Sequence, residues 1–285
     1  MKLVFKTPDS LVNNRMIVIK KDVPCLDSSW HYHAQYELIY ITKSTGIRFV
    51  GDSVSHFAPG DLVLVGPYLP HLWRNDASYY EEQKKNNVLT FVTKFNRNFL
   101  GEETFRIPAF QEIAKLLSDS KYGVSFGKET SDFLHDELIN MENVPPAEQR
   151  IKFLNILHHL SLSENRTLLS SSDMRQFATE NEQKIDEVLK FISDNYTSYI
   201  TLNDVAKVAC MTSNSFCRFF KRMTNKSFTE FLNEVRVRNA SRLLIENNLS
   251  IAEVGYTVGF NTPTNFSKRF KQIMGCTPSN FLEAI

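Results

Sequence analysis

The sequence predicts a multidomain protein with an N-terminal antiparallel β-barrel, a helical segment after it, and a C-terminal all-α domain with two helix-turn-helix motifs. Three observations lead to this fold class. Apolar residues recur with a period of two up to about residue 98 and with a period near 3.6 from about residue 108. Two segments in the last hundred residues resemble each other at a shift of 50 residues. At 285 residues and 42% hydrophobic content, the chain is long enough for two domains with cores of their own.

The N-terminal region reads as short strands rich in β-branched and aromatic residues. Turn signals such as Gly51-Asp52 and Gly66-Pro67 separate them. This spacing favours an antiparallel sandwich or a small barrel. The runs are Tyr36–Thr42, Gly46–Val50, Asp61–Val65 and Val88–Val92.

Three histidines and a glutamate form a polar constellation in this region: His31, His33, Glu37 and His71. Alternation along a strand places His31 and His33 on one face, and Glu37 joins them if the strand continues unbroken. A histidine from another strand, His71, would complete a set of imidazole and carboxylate ligands that suits zinc, iron or manganese. The alternative is a set of polar groups that hydrogen-bond a small ligand or one another without a metal.

This order of residues, with Ala58-Pro-Gly-Asp61 between them, resembles the cupin barrel. The resemblance implies a ligand-binding interior, and many cupins hold a metal at those four positions. We expect no metal or other cofactor here, and we take the four residues as polar groups of an effector pocket that remain candidate metal ligands. Aromatic and polar neighbours would suit a compact ligand such as a sugar. The expected neighbours are Trp30, Tyr40, Arg48 and Trp73.

Helically spaced apolar residues follow in three sets, which begin near Phe110, Phe133 and Ile151. We expect this segment to form core, a dimer surface, or both. The polar stretch after it is the best linker candidate. The predicted domains are a sensing barrel over residues 1–105, a helical segment over 106–165, a linker over 166–182 and the all-α domain over 183–285.

The two similar segments are Thr212–Lys221 and Thr262–Lys271. Each begins with a threonine suited to cap a helix, and two phenylalanines four residues apart mark one buried face. A short helix precedes each segment and carries a small residue, Ala206 or Gly255, where two crossing helices would need a close approach. Two helices joined by a tight turn, the second with small polar and basic residues near its start, are typical of helix-turn-helix DNA binding. The alternative is a plain helical bundle with a solvated basic face.

The charges are unevenly distributed along the chain. Residues 183–285 contain 13 Lys and Arg against 9 Asp and Glu, whereas the remainder contains 20 against 23. A mildly basic C-terminal domain fits contact with nucleic acid. The four cysteines lack metal-binding spacing, and no signal-peptide or membrane-spanning run is present. We therefore expect a cytoplasmic protein with reduced thiols and no membrane association.

Seven short motifs follow one another through the last hundred residues: Ile200–Ala206, Phe219–Lys221, Arg236–Ala240, Leu243-Leu244, Val258–Phe260, Phe266–Lys271 and Gly275–Pro278. Together they resemble the AraC/XylS family of bacterial transcription regulators. The resemblance implies that each recognition helix enters the major groove of double-stranded DNA, at two sites about one helical turn apart. It also implies an N-terminal effector domain that forms a homodimer, and control of RNA polymerase recruitment, usually as an activator.

The position of each residue within the motif indicates whether it would contact bases or phosphates. Arg and Lys can pair with guanine edges and Asn with adenine. Phosphate contacts fix only the register of the protein on the DNA. The expected base contacts are Asn214, Cys217, Arg218, Thr264, Asn265 and Lys268. The expected phosphate contacts are Thr212, Ser213, Lys221, Thr262 and Lys271.

Three positions depart from the family pattern. Cys210 replaces a turn glycine, Asn225 replaces the glycine after the first recognition helix, and Leu282 replaces a common arginine. If the turn at Cys210 needs a positive φ, the side chain costs about 1 kcal/mol. Asn225 is the milder change, because asparagine tolerates the left-handed conformation.

The leading hypothesis is therefore a sequence-specific DNA-binding transcription regulator, not an enzyme, whose cupin-like domain senses a small molecule. The alternative is a metal-dependent cupin enzyme fused to a DNA-binding domain. Only the four-residue constellation favours the alternative, since no further acid–base or nucleophile set accompanies it.

Overall fold

The structure is a computed structural model that describes residues 15–26, 30–80, 87–174, 182–246 and 249–283. The chain divides into two compact units, with the boundary at about residue 180. The first 14 residues of the predicted barrel domain lie outside the described residues. Within the described ranges, none of the helices has the length and apolar character needed to span a bilayer.

Nine strands lie in the described part of the chain before residue 180. They form a six-stranded sheet of order β1-β7-β2-β5-β8-β9 and a three-stranded sheet of order β4-β3-β6. The predicted antiparallel architecture is confirmed, but the described strands form two separate sheets and not a closed barrel. The strands are β1 Met16–Val23, β2 Tyr36–Lys43, β3 Gly46–Val50, β4 Ser53–Phe57, β5 Leu62–Val65, β6 His71–Asn75, β7 Val88–Phe95, β8 Val124–Phe126 and β9 Arg166–Leu168.

Both faces of the six-stranded sheet are covered, so its central strand β2 is apolar on both sides. Leu38 and Tyr40 belong to a cluster with the helices, whereas Ile39 and Ile41 belong to a second cluster that includes Trp73 of the other sheet. Alternation places Glu37 on the same face as Ile39 and Ile41. A carboxylate is thus held on the face between the two sheets.

Four α-helices lie in the described residues of the first unit, and all but the second contribute to the apolar cluster on the other face of the six-stranded sheet. They are α1 Gln111–Asp119, α2 Lys128–Phe133, α3 His135–Asn140 and α4 Pro146–Leu162. All three predicted helical sets lie in these helices or directly beside them, but Phe133 and Ile151 are 67% and 69% exposed. Their exposure leaves apolar surface on this segment.

The short strands β8 and β9 were not predicted, because three residues are too few to show alternation. β9 pairs with β8, and Met174 beyond it is completely buried. Residues 166–174 of the predicted linker are therefore packed on the first unit. Residues 175–181 lie outside the described residues.

In residues 182–246 and 249–283 the second unit consists of helices joined by short turns. The longest of its described helices is α8, which spans Phe228–Glu246. The helices are α5 Glu182–Asn195, α6 Leu202–Val208, α7 Ser213–Thr224, α8 Phe228–Glu246, α9 Ile251–Thr257, α10 Pro263–Met274 and α11 Pro278–Glu283.

Candidate nucleic-acid interface and buried polar site

The first helix pair, α6 and α7, is defined at its ends by hydroxyl caps. The backbone N–H of Ser215 donates to the Thr212 side chain at 3.4 Å and begins α7. Phe216 and Phe220 are completely buried and their ring centroids lie 5.3 Å apart. The predicted aromatic face of this helix is confirmed, and it leaves the opposite face of α7 to solvent.

The second pair, α9 and α10, repeats this construction. The Asn265 N–H donates to the Thr262 side chain at 3.2 Å, and Pro263 occupies the first turn, where no backbone donor is needed. Phe266 and Phe270 are completely buried, with ring centroids 5.6 Å apart. Two helices thus expose equivalent faces within one unit.

All six predicted base-contact side chains are exposed: Asn214, Cys217, Arg218, Thr264, Asn265 and Lys268. Of the predicted phosphate contacts, Ser213 is half-buried, whereas Thr212, Lys221, Thr262 and Lys271 are exposed. The hydroxyl groups of Thr212 and Thr262 already accept the capping N–H groups of their helices. The ammonium groups of the two lysines are therefore the stronger phosphate ligands.

The turns between the helices require left-handed backbone. Cys210 has φ 54° and Gly259 has φ 93°, so the cysteine adopts the left-handed conformation for which the family pattern has a glycine. A Cβ at Gly259 would also lie 2.6 Å from the carbonyl oxygen of Tyr196. After the recognition helices, Asn225 at φ 57° and Gly275 at φ 80° end α7 and α10 in the same way.

The predicted close approach of the crossing helices is confirmed in the second pair. A Cβ added to Gly255 would lie 2.9 Å from the Phe266 ring. Ala206, the equivalent residue of the first pair, is buried. The small residues therefore set how deeply each recognition helix packs on its partner.

Capping boxes begin both α6 and α9. In α6 the Thr201 hydroxyl and backbone N–H donate to Asp204, which holds the pKa of that carboxyl below its usual value. Ser250 lowers the pKa of Glu253 in the same manner. The carboxylates are thus ionised at neutral pH, and they complete the caps that start the helices before each turn.

Arg236 of α8 supports the loop after α5. Its guanidinium donates to the carbonyl oxygens of Tyr196 at 2.7 Å and Ser198 at 2.8 Å. It also lies 5.7 Å from the centre of the Phe260 ring, and burial lowers its pKa from the ordinary value. These contacts give the arginine a structural role.

The four predicted polar residues of the first unit do converge. One ligand atom from each of His31, His33, Glu37 and His71 lies within 4.8 Å of the others. His33 Nε2 lies 2.5 Å and His71 Nε2 lies 3.7 Å from Glu37 Oε2. His33, Glu37 and His71 are at most 5% exposed, whereas His31 is half-buried.

The strand does not run unbroken through these residues. β2 begins only at Tyr36, and His31 forms an isolated bridge with His71 in which their backbone N–H and C=O groups pair. His33 reaches Glu37 across the intervening bend. The bridge and the bend, not strand alternation, bring the four side chains together.

The sequence reading missed Lys94. Its Nζ lies 2.9 Å from Glu37 Oε2, and it faces Glu37 directly in the register of β2 with β7. The signal was present, because Val88, Thr90, Val92 and Lys94 alternate on one face of a strand that extends to Phe95. Lys94 supplies a positive charge to the buried carboxylate.

Backbone carbonyls fix the ring orientations of two of the histidines. His33 Nδ1 lies 3.0 Å from the Gln35 carbonyl oxygen and His71 Nδ1 lies 2.8 Å from the Leu69 carbonyl oxygen. A carbonyl only accepts, so each Nδ1 carries a proton, and each ring turns its Nε2 towards Glu37.

Burial lowers the pKa of His33, and the neighbouring Glu37 offsets this only in part. For Glu37, burial opposes ionisation, but the hydrogen bond with His33, the adjacent His71 ring and the charge of Lys94 hold its pKa well below the usual value. The site thus holds a buried carboxylate together with imidazole nitrogens that can bind a proton or a cation.

The predicted pocket neighbours divide into two groups. Trp30 and Trp73 are buried, and the ring centroid of Trp73 lies 5.9 Å from that of His71. Trp73 Nε1 and His71 Nε2 have no hydrogen-bond partner among the described residues. Tyr40 instead lies on the opposite face of β2, where its hydroxyl is 2.7 Å from His135 Nδ1.

Arg48 uses its guanidinium for other contacts. It forms an ion pair with Asp61 and donates to the Ser125 hydroxyl at 3.1 Å. The structure thus brings Trp73 to the histidine–glutamate cluster, whereas Tyr40 and Arg48 have partners elsewhere.

The geometry of the second unit agrees with comparisons to known proteins. The model of a helix-turn-helix domain of the AraC type matches residues 205–284, which contain both recognition helices. Residues 205–284 are thus similar to the DNA-binding domain of AraC-type regulators. Curated relatives from several bacteria are HTH-type transcriptional regulators.

Three relatives illustrate the similarity. The chain is 28% identical over 149 residues to the uncharacterized HTH-type transcriptional regulator YdeC of Bacillus subtilis, covering 50% of this chain and 51% of YdeC. It is 20% identical over 266 residues to the HTH-type transcriptional activator RhaS of Salmonella heidelberg, covering 92% of this chain and 90% of RhaS. It is 32% identical over 99 residues to the lactose operon transcription activator of Staphylococcus xylosus, covering 35% of this chain and 36% of that protein. The matches to YdeC and to the lactose activator thus span about half of those proteins or less.

Proposed function

We propose that the protein is a sequence-specific DNA-binding transcription regulator, and an activator, whose N-terminal unit senses a small molecule. The observation that carries this proposal is the repeated pair of recognition helices, each with a buried phenylalanine face and an exposed face of small polar and basic residues. The relatives whose names describe activators support the sign of regulation.

The exposed side chains of α7 and α10 divide by chemistry into two groups. Arg218 and Lys268 are suited to guanine edges, and Asn214 and Asn265 to adenine. Cys217 and Thr264 lie beside them, where they can contact base edges or the thymine methyl group. The lysines Lys221 and Lys271 are suited to phosphates, which orient the protein without reading the sequence.

The proposed effector site is the face of β6 that carries His71 and Trp73. A compact polar ligand, such as a sugar, would supply partners for the buried Trp73 Nε1 and His71 Nε2 atoms. The similarity to an activator of a lactose operon supports a sugar.

We further propose a homodimer through the helical segment, whose exposed Phe133 and Ile151 provide apolar surface, and RNA polymerase as the regulatory partner.

Selection of DNA fragments by the purified full chain tests the regulator proposal. We expect one enriched sequence, bound with an affinity that falls steeply as salt rises. Arg218→Ala and Lys268→Ala should each cost about 1–3 kcal/mol and relax the preference at different base pairs, whereas Lys221→Ala should weaken all sequences equally. Arg106→Ala, an exposed change in the first unit, is the matched control. Equal losses on selected and random DNA would show that the assigned base contacts are wrong.

A second candidate function, a metal-dependent cupin enzyme fused to a DNA-binding domain, is favoured by the convergence of His31, His33, Glu37 and His71. Nδ1 donation to backbone carbonyls is the usual arrangement of metal-binding imidazoles, and this donor set fits zinc, iron or manganese. Such an ion would supply Lewis-acid chemistry. Lys94 opposes this function, because its ammonium group already neutralises Glu37.

Metal analysis of the purified protein distinguishes the two functions. Stoichiometric metal that is absent from a His33→Ala variant but retained by the exposed-site control His158→Ala would favour the enzyme. Substoichiometric metal in the wild-type protein would favour a small-molecule sensor.

A further inference from the structure

Residues 166–174, named here the strap, close the first unit just before the chain continues to the second. β9 pairs with β8, and the Leu169 and Ser170 N–H groups donate to the carbonyls of Gly123 and Tyr122 at 2.9 and 2.8 Å. The strap is therefore an added edge strand and its extension, held by only a few ladder bonds.

Beyond the ladder, the strap is anchored to one buried carboxylate. Asp52, which is 4% exposed, accepts from the Ser170 hydroxyl at 3.0 Å, from the Ser171 N–H at 2.8 Å and from the Ser171 hydroxyl. The approach is close, because a Cβ at Gly51 would lie 2.4 Å from the Ser170 hydroxyl. Charge-assisted bonds of this kind are stronger than neutral ones, so Asp52 is the main polar anchor of the strap.

Apolar packing provides the second anchor. Met174 is completely buried and belongs to the same cluster as Val50, Leu69 and Trp73. Trp73 follows the site residue His71 on β6, and Val50 faces His71 in the register of β3 with β6. Both anchors are thus connected to residues that border the buried polar site. Asp52 lies two residues after Val50, which faces His71. Met174 belongs to the same apolar cluster as Trp73.

We propose that the strap is the conformational link between the buried polar site and the DNA-binding unit. An occupant that hydrogen-bonds the free Trp73 N–H would fix the tryptophan within the cluster that holds Met174, and so favour the anchored strap over a released one. The equilibrium between these two states then biases DNA binding by the second unit. This inference rests on the proposed regulator function.

The test uses the full chain and two variants that release different anchors, Asp52→Asn and Met174→Ala. Glu112→Gln, an exposed carboxylate-to-amide change on α1, is the matched control. Hydrogen exchange of the Leu169, Ser170 and Ser171 amides reports the strap, and exchange of the amides of β2 and β7 reports the fold. We expect strap exchange to rise at least tenfold in both variants, with β2 and β7 unchanged.

The same proteins are then assayed for affinity to a DNA fragment selected by the wild-type chain. We expect both strap variants to bind this DNA at least fivefold more weakly than the control. A released strap with DNA affinity within twofold of the control would overturn the inference, as would strap exchange that does not rise. If one variant unfolds, Ser171→Ala replaces it, because it removes one bond to Asp52 and no buried carbon. Failure of the wild-type chain to bind any selected DNA would instead refute the regulator function.

Discussion

At the scale of single residues, the two copies of the helix-turn-helix unit differ most at their turns. Cys210 and Gly259 both have positive φ, but only the cysteine has a side chain, which makes this conformation unfavourable. Relief of left-handed strain is worth about 1–2 kcal/mol, and the greater freedom of glycine in the unfolded chain offsets about 0.5–1 kcal/mol. Cys210→Gly should therefore stabilise the second unit by roughly 1 kcal/mol.

Hydrogen exchange of the buried amides of α7, compared between variants of the full chain, measures this gain. Cys210→Ala is the control, because it removes the thiol and keeps the Cβ. It should not increase the protection of the α7 amides over that in the wild-type chain. Equal protection by alanine and glycine would mean that the thiol, not the backbone conformation, is unfavourable at this turn.

Lys94 gives a second prediction at the residue scale. Its ammonium group and the carboxylate of Glu37 are both buried, so removal of one partner leaves an uncompensated charge. Lys94→Met should destabilise the first unit by about 3–5 kcal/mol. Both tryptophans of the chain lie in this unit, so denaturant unfolding followed by tryptophan fluorescence reports it alone.

The matched comparison is the double variant Glu37→Gln with Lys94→Met, which removes the charge from both sides. It should lose clearly less stability than the sum of the two single variants. Additive losses would show that Lys94 contributes packing of its carbon chain and not neutralisation of the carboxylate.

At the scale of elements, the crossing of α9 over α10 depends on Gly255. An alanine inside a helix usually gains about 1 kcal/mol over glycine. Here the new Cβ would meet the Phe266 ring at 2.9 Å, and that ring is completely buried among its neighbours. Gly255→Ala should therefore destabilise the second unit by about 1–3 kcal/mol, as overpacking does.

Exchange protection of the α10 amides measures this loss, with Ala252→Gly on the same helix as the comparison. The latter change should cost about 1 kcal/mol through helix propensity alone. Protection that rises in Gly255→Ala would show that the two helices separate at little cost.

The elements also show what the sequence could and could not predict. The recognition helices were predicted correctly because each signal is local: a capping threonine, a phenylalanine pair and a turn residue with positive φ. The buried polar site was predicted by residue type but not by geometry, since the bridge between His31 and His71 joins residues 40 positions apart. Lys94 was missed because its role comes from the pairing of β7 with β2, and strand pairing is not a local property.

At the scale of the whole molecule, the distance between the two recognition helices determines the spacing of the DNA sites that they can contact together. α8, which connects the two helix-turn-helix units, has 19 residues and so spans about 28 Å. Successive major grooves on one face of DNA lie about 34 Å, or roughly 10 base pairs, apart. Because α8 is packed against both α7 and α10, the two units cannot adjust this distance freely.

DNA selected by the full chain should therefore contain two conserved blocks with centres about 10 base pairs apart. Arg218→Ala should erase the preference in one block and Lys268→Ala in the other, because each residue lies on a different recognition helix. Sequencing of the fragments enriched by the wild-type chain and by each variant measures both effects. A variable spacing between blocks, or one block lost in both variants, would mean that the two helices do not read DNA as a rigid pair.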